Sequence, residues 1–169
     1  MILEPKKIIP LLGIEHGMTI LDIGSGVGFW IKPLIDIVGP SGNIIAVDNQ
    51  SNVIQRLNND MKEMGIKNVH GITGNLNYLS DFPIKQNTCH RIILVRMLDY
   101  LTNNLEETFE QVTGFLKNRG QLIVIDSITH RKQILNLFQE HSHLTFEEIP
   151  LIAERSDYYF FGVRIIQNI

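Results

Sequence analysis

Cysteine is nearly absent from the chain: Cys89 stands alone among 169 residues. One thiol closes no internal disulfide and supplies no multi-cysteine metal site, which excludes a disulfide-stapled module and a zinc–thiolate module alike. Cys89 itself reads as a small, partly buried hydrophobe rather than a nucleophile. A strong excess of either charge is also missing. Lys and Arg number 15 against 18 Asp and Glu, a net charge of −3, so no global field draws nucleic acid or an anionic membrane. No apolar run approaches the roughly 18 residues of a membrane-spanning helix. Met1-Ile-Leu-Glu-Pro5 lacks the cationic start and apolar core of a signal peptide. The expectation is a cytoplasmic protein with no membrane segment and no strong nucleic-acid signal. With 44% hydrophobic residues, residues 1–169 suit a single domain that buries a substantial core.

What the chain does have is glycine, concentrated at one place. In Ile20-Leu-Asp-Ile-Gly-Ser-Gly-Val-Gly-Phe-Trp30 an apolar strand carrying Asp22 runs into Gly24, Gly26 and Gly28 at every second position. Glycine has no Cβ, so the backbone can turn tightly and a ligand can approach it closely. A helix opening near Gly28 would aim its free N–H groups at a carboxylate or phosphate. The spacing selects among ligands. A dinucleotide fingerprint, G-x-G-x-x-G, needs its third glycine at position 29, where Phe29 stands. That weighs against a nicotinamide-dependent oxidoreductase.

Hydrophobic periodicity gives the order of elements. A short leading helix spans Pro5 to Leu12, stopped by Gly13. Strands follow at Met18–Ile23, Asn43–Val47 (ending at Asp48), Val69–Thr73, Arg91–Val95, Gln121–Ile125, Leu144–Ile149 and Tyr158–Ile166. Helices are expected at Val27–Val38, from Ser51 as N-cap to Met64 with Val53, Leu57 and Met61 on one face, at Leu105–Leu116 and around Ile134–Phe138; Asn118-Arg-Gly120 reads as a turn. Alternating strands and helices argue for βαβ units and a parallel sheet covered on both faces. The last two strands are joined by too few residues for a helical crossover, so they form an antiparallel hairpin at one edge. The fold expected is α/β: a Rossmann-like, doubly wound sheet of seven strands, mostly parallel, with an antiparallel C-terminal edge hairpin.

Asp22-x-Gly24-x-Gly26-x-Gly28, Val38-Gly-Pro-Ser-Gly-Asn-Ile-Ile-Ala-Val-Asp48 and Phe115-Leu-Lys-Asn-Arg-Gly-Gln-Leu-Ile-Val-Ile-Asp126 together resemble the class I S-adenosylmethionine-dependent methyltransferase family, and the resemblance covers nearly the whole chain. It implies S-adenosylmethionine as cofactor. It also implies a set of cofactor-binding positions: Asp22, Gly24, Ser25, Gly26, Gly28, Asp48, Asn49, Val53, Asn75, Leu76 and Arg96. Within that set Asp48 would accept both ribose hydroxyls, Asp22 would face the cofactor's amino group, and Val53 would cover the adenine. Two positions depart from the family pattern. Gly74-Asn75 replaces Gly-Asp, although asparagine can still accept the adenine amino hydrogen through its carbonyl. Cys89-His90 replaces Phe-Asp at a position that is generally structural. Arsenite methyltransferases share this fold and depend on several cysteines, which the lone Cys89 argues against.

Methyl transfer to a good nucleophile mainly needs alignment and exclusion of water, so the family has no universal catalytic residue. The acceptor would lie above the C-terminal ends of the fourth and fifth strands. Asp99 and His130 are the candidates there for a general base, each with a capping or solvated-loop role as its alternative, and Arg96 could also bind an acidic acceptor. Nothing after strand four resembles the Asn/Asp-Pro-Pro-Tyr motif of amino-group methyltransferases. His141-x-His143 lacks a third ligand, so no metal is expected. The expected function is methyl transfer to a small-molecule acceptor. The competing reading is a non-catalytic scaffold or partner subunit. A homo-oligomer or a partner subunit could complete a site that has no long insertion to cover it.

Overall fold

The computed structural model describes residues 4–75, 78–79, 82–101, 105–139, 144–149 and 160–167. Helix α1 (Pro5–Ile8) continues as a 3₁₀ turn to Leu12, and Gly13 ends it in the left-handed region with φ 59°. The remaining elements are β1 (Thr19–Ile23), α2 (Ile31–Val38), β2 (Asn43–Asp48), α3 (Ser51–Glu63), β3 (Val69–Thr73), β4 (Cys89–Val95), α4 (Leu105–Gly114), β5 (Leu116–Ser127), α5 (Arg131–Gln139), β6 (Leu144–Ile149) and β7 (Phe160–Gln167).

Among the described residues, seven strands form one sheet in the order β3-β2-β1-β4-β5-β7-β6. The pairs from β3 across to β5 are parallel, and β7 runs antiparallel to both β5 and β6. The expected architecture and its edge hairpin are therefore present. The order reverses at β1 and β4, where an open α/β sheet leaves a crevice beyond the carboxyl ends of its strands.

Strands β1, β2, β4 and β5 are apolar on both sides because both sides are covered. Alternate residues divide the core in two. Ile20, Ile44, Ala46, Ile93 and Ile123 pack with Leu12, Leu34, Val38, Leu57 and Met61, under α1, α2 and α3. Leu21, Ile23, Val47, Ile92, Leu94 and Val124 pack with Phe109, Val112, Phe115 and Ile134, under α4 and α5. This is the doubly wound arrangement.

Several boundaries differ from the sequence reading. Helix α2 begins at Ile31 rather than near Gly28, because the glycines hold residues 24–30 in turns. Ser51 is the first residue of α3; Gln50 precedes it and makes no side-chain cap bond. The buried face of α3 is Ile54, Leu57 and Met61, and Val53 is only half-buried. Strand β5 starts at Leu116, before Asn118-Arg-Gly120. That segment is a bulge and not a turn out of the sheet: Cys89 pairs with Leu116 and Arg91 already with Gln121. Arg119 takes φ 59° to make it. The last strand is described from Phe160 to Gln167, and Tyr158 lies outside the described residues.

Candidate functional site

Three strand ends converge on the crevice. At the end of β1, Gly24, Gly26 and Gly28 have φ of 78°, 52° and 77°, a region L side chains rarely enter. Two of them serve packing. A Cβ on Gly24 would sit 2.0 Å from Met97 Sδ, and one on Gly28 would sit 2.8 Å from Leu57 Cδ1. Gly26 differs: a Cβ there meets nothing within 4 Å. The middle glycine thus faces open space, which is where a ligand can lie against the backbone.

Asp48, at the end of β2, holds this turn in place. Its Oδ2 accepts the Gly26 N–H at 2.8 Å and its Oδ1 accepts the Gln50 N–H at 2.9 Å. The residue is buried. The Gly26 N–H is therefore committed to Asp48, so this glycine offers a ligand room and not a donor. Each carboxylate oxygen keeps a second lone-pair site.

Next to it lie two buried polar atoms that lack hydrogen-bond partners among the described residues, Asp22 Oδ2 and Ser25 Oγ. Such groups cost about 1–3 kcal/mol when left unsatisfied, and native structures contain few of them. Burial, and secondarily the nearby charge of Asp48, pushes the Asp22 carboxyl up from 3.8 to about 7. An acid raised in this way binds more protons folded than unfolded between those values, so stability falls as pH rises through the window. Urea unfolding of the free chain at pH 5 and pH 7.5 is expected to show this fall, and Asp22→Asn is expected to flatten it. An undiminished fall in Asp22→Asn would assign the effect to other groups.

The other expected binding positions lie around the same opening. Asn49 is exposed beside Asp48, and half-buried Val53 sits on the first turn of α3. Asn75 is exposed just past β3, where its carbonyl accepts the Tyr78 N–H at 3.0 Å. Leu76 lies outside the described residues. Arg96 is exposed after β4 with φ 56°, a left-handed residue whose N–H donates to the Ile125 carbonyl at 2.9 Å. A non-glycine residue in that region stores strain, and here it precedes the Met97 side chain that covers Gly24.

On the acceptor side the two candidate bases are in contact. His130 Nε2 lies 3.1 Å from Asp99 Oδ1, and His130 Nδ1 lies 3.0 Å from Asp126 Oδ1. Asp126 was not singled out as a base from sequence, although it stands four residues before His130; the Asp99–His130 contact, between the ends of β4 and β5, has no signal in local spacing. Asp126 is buried at the end of β5, where Oδ2 accepts the Leu98 N–H at 3.1 Å and Oδ1 the Ser127 N–H at 2.7 Å. Exposed apolar side chains stand on the segments that follow the strands at this end of the sheet: Val27 and Phe29 on the glycine turn, Tyr78 after β3, Tyr100 after β4 and Ile128 after β5.

The departures at Cys89-His90 are structural. Cys89 is fully buried, and burial raises its thiol above the usual range. His90 Nδ1 accepts the Thr19 N–H at 2.9 Å, and burial lowers its imidazole. Both lie at the opposite end of the strands from the crevice. Arg91, missed from sequence, ties α1 to the sheet by donating to the carbonyls of Leu12 and Gly13. Among the described residues no group of His, Cys, Asp and Glu is arranged to hold a metal ion, and His141 and His143 lie outside them. No helix among the described residues is long and apolar enough to cross a membrane.

Residues 14–160 match the family model described as a methyltransferase domain. The chain is 28% identical over 125 residues to a demethylmenaquinone methyltransferase of Lactococcus lactis, covering 72% of this chain and 46% of that protein. It is 27% identical over 149 residues to a ubiquinone/menaquinone biosynthesis C-methyltransferase of Pasteurella multocida, covering 84% and 51% respectively. The chain thus spans about half the length of these curated relatives. In three dimensions it resembles a SAM-dependent methyltransferase from Aquifex aeolicus with a TM-score of 0.79 at 22% identity, over 97% of this chain and 89% of the other.

Proposed function

The chain belongs to the methyltransferase-domain family, with the class I fold and S-adenosylmethionine as the cofactor, and from that premise we propose that it transfers a methyl group to a small apolar acceptor. The observation that carries this reading is the pair of unpartnered buried atoms, Asp22 Oδ2 and Ser25 Oγ, beside the open space over Gly26. An ionised Asp22 suits the ammonium of an amino-acid ligand, and the Ser25 hydroxyl suits its carboxylate. The free lone pairs of Asp48 are available to ribose hydroxyls, with Asn49 next to them. Val53 would cover an adenine and Asn75 would meet its edge; Leu76, which the family resemblance assigns to the same pocket, lies outside the described residues. Gly24 and Gly28 shape the turn, and Arg96 flanks the opening toward the acceptor. S-adenosylmethionine supplies an electrophilic methyl group on sulfur.

The chain's own residues have the tasks of alignment and water exclusion. Val27, Phe29, Tyr100 and Ile128 are exposed apolar side chains on the segments beyond the carboxyl ends of the strands, and an apolar ring as acceptor would suit them. The relatives named for demethylmenaquinone methylation and for ubiquinone/menaquinone biosynthesis support the same class. The small acceptor, a cytoplasmic location and the action of residues 1–169 as one domain all belong to this reading.

These side chains also support a second reading, in which a partner subunit or a second copy covers them and the chain is a scaffold. Titration calorimetry with S-adenosylhomocysteine and with NAD, followed by turnover with 1,4-dihydroxynaphthalene as acceptor, separates the possibilities. Binding of S-adenosylhomocysteine together with methylated naphthol is the expected result. Binding without turnover on any acceptor would favour the scaffold, and tighter binding of NAD would end both readings.

A further inference from the structure

We infer that Asp126 and His130 form a proton-accepting pair for the acceptor, with His130 Nε2 as the atom that takes the proton and Asp126 as the residue that positions it. The inference rests on the methyl-transfer reading and adds the acceptor's chemistry: a group that must lose a proton as it is methylated, such as a phenol or an aromatic diol.

The two ends of the imidazole are treated differently. Nδ1 meets Asp126 Oδ1 at 3.0 Å, and the Asp126 side chain is only 4% exposed. Backbone donors from Leu98 and Ser127 fix that carboxylate from two directions. Since an ionised carboxylate only accepts, Nδ1 must carry the hydrogen, and a neutral ring then presents a bare lone pair at Nε2. Nε2 faces Asp99, whose side chain is 78% exposed. A carboxylate at 3.1 Å from Nε2 is favourable only when Nε2 is protonated. The Asp99 contact would thus suit the ring once it had accepted a proton, and exposed Asp99 can swing away to admit an acceptor hydroxyl or pass the proton to water.

Placement agrees with this role. Strand β4 lies between β1 and β5, so the pair stands about two strand spacings, about 10 Å, across from the glycine turn. The same turn after β4 touches both ends: Met97 lies against Gly24, and the Leu98 N–H binds Asp126. In the transfer step the acceptor's O–H proton passes to His130 Nε2. The acceptor's electron pair forms the new bond to the methyl carbon, and the pair of the breaking carbon–sulfur bond stays on sulfur. A structural alternative, in which Asp126 merely caps the turn before α5 and anchors the ring, fixes the same tautomer but leaves turnover unmoved.

The tautomer is testable without an acceptor, and turnover then separates the two roles. In the ¹⁵N-labelled full chain, long-range ¹H–¹⁵N correlations at alkaline pH are expected to show neutral His130 as the Nδ1–H tautomer. Asp126→Asn is expected to convert it to Nε2–H, and Asp99→Asn to leave it unchanged. The charged groups facing the ring among the described residues are Asp126 and Asp99; the neighbouring Arg131 guanidinium is paired with Glu148 of β6. A wild-type ring with Nε2–H, or one indifferent to Asp126→Asn, would overturn the inference. In turnover of 1,4-dihydroxynaphthalene, His130→Ala and Asp126→Asn are expected to lower kcat about 10²-fold or more, with KM and S-adenosylhomocysteine affinity unchanged. Unchanged kcat in either variant would also overturn it. A wild-type chain that binds S-adenosylhomocysteine but leaves the naphthol unmethylated fails the acceptor reading alone, and an Nε2–H tautomer would then still overturn the pair.

Discussion

Gly26→Val is expected to leave a folded chain with no measurable cofactor binding. The backbone at Gly26 has φ 52°, and a Cβ there meets nothing within 4 Å. Folding is therefore penalised by conformation alone, about 1–2 kcal/mol for an L residue held in the left-handed region and more for a β-branched one. Binding is penalised by volume, because the isopropyl group fills the space over the turn. A loss of at least 100-fold corresponds to about 3 kcal/mol, which the bulk of a valine in a close-packed contact readily exceeds. Gly26→Ala separates the two effects: it carries most of the conformational cost and much less of the volume. Calorimetry with S-adenosylhomocysteine, beside urea unfolding of each variant, reads both. A folded Gly26→Val chain with normal affinity would show that the ligand does not lie on this turn. Gly24→Ala is a useful contrast, since its new methyl would strike Met97 and not open space.

The distinction among the three glycines marks where sequence reasoning stops. Their presence and alternate spacing were legible, as were Asp22 and Asp48 at strand ends, because apolar runs, turn residues and strand lengths are local properties. Which glycine faces a neighbour and which faces open space depends on Met97 and Leu57, residues far away in the chain. The late start of α2 has the same origin: Val27, Phe29 and Trp30 have helical spacing, yet three residues with positive φ hold the segment in turns. The Asn118-Arg-Gly120 segment carries turn composition and does bend, but register with β4 resumes at Gln121, so the strand continues through it. The Asp99–His130 contact joins residues beyond two strand ends, and no one-dimensional pattern encodes it, whereas Asp126 stands only four residues before His130. Asp48, expected from sequence to meet a ribose, has a second task that its position in the chain does not reveal, holding the Gly26 turn.

That second task sets the outcome of Asp48→Ala, which is expected to weaken both the cofactor and the fold. If the carboxylate accepts the ribose hydroxyls, its loss costs about 1.5–3 kcal/mol of binding, the scale of hydrogen bonds to a charged group. In addition, the Gly26 and Gln50 N–H groups lose their acceptor. A fully buried donor left unsatisfied costs about 1–3 kcal/mol; these two are only part-buried, so water recovers much of that cost. The glycine turn would then be less well held before any ligand arrives, so affinity should fall by more than the ribose contacts alone account for. Asp48→Asn tests the partition. Its single carbonyl can serve Gly26 or Gln50 but not both, while its amide faces the other donor, so its stability should lie between wild type and alanine. There is also a signature at a distance. The charge of Asp48 is one of the two causes that raise the Asp22 carboxyl. Removing it should narrow the pH window over which stability falls, without abolishing it, because burial is the larger cause. Urea midpoints from pH 5 to pH 7.5 for wild type, Asp48→Ala and Asp22→Asn would show the three slopes in that order, steepest first. A slope in Asp48→Ala equal to that of wild type would mean that the two carboxylates do not share a site, and the cofactor geometry built on their proximity would fall with it.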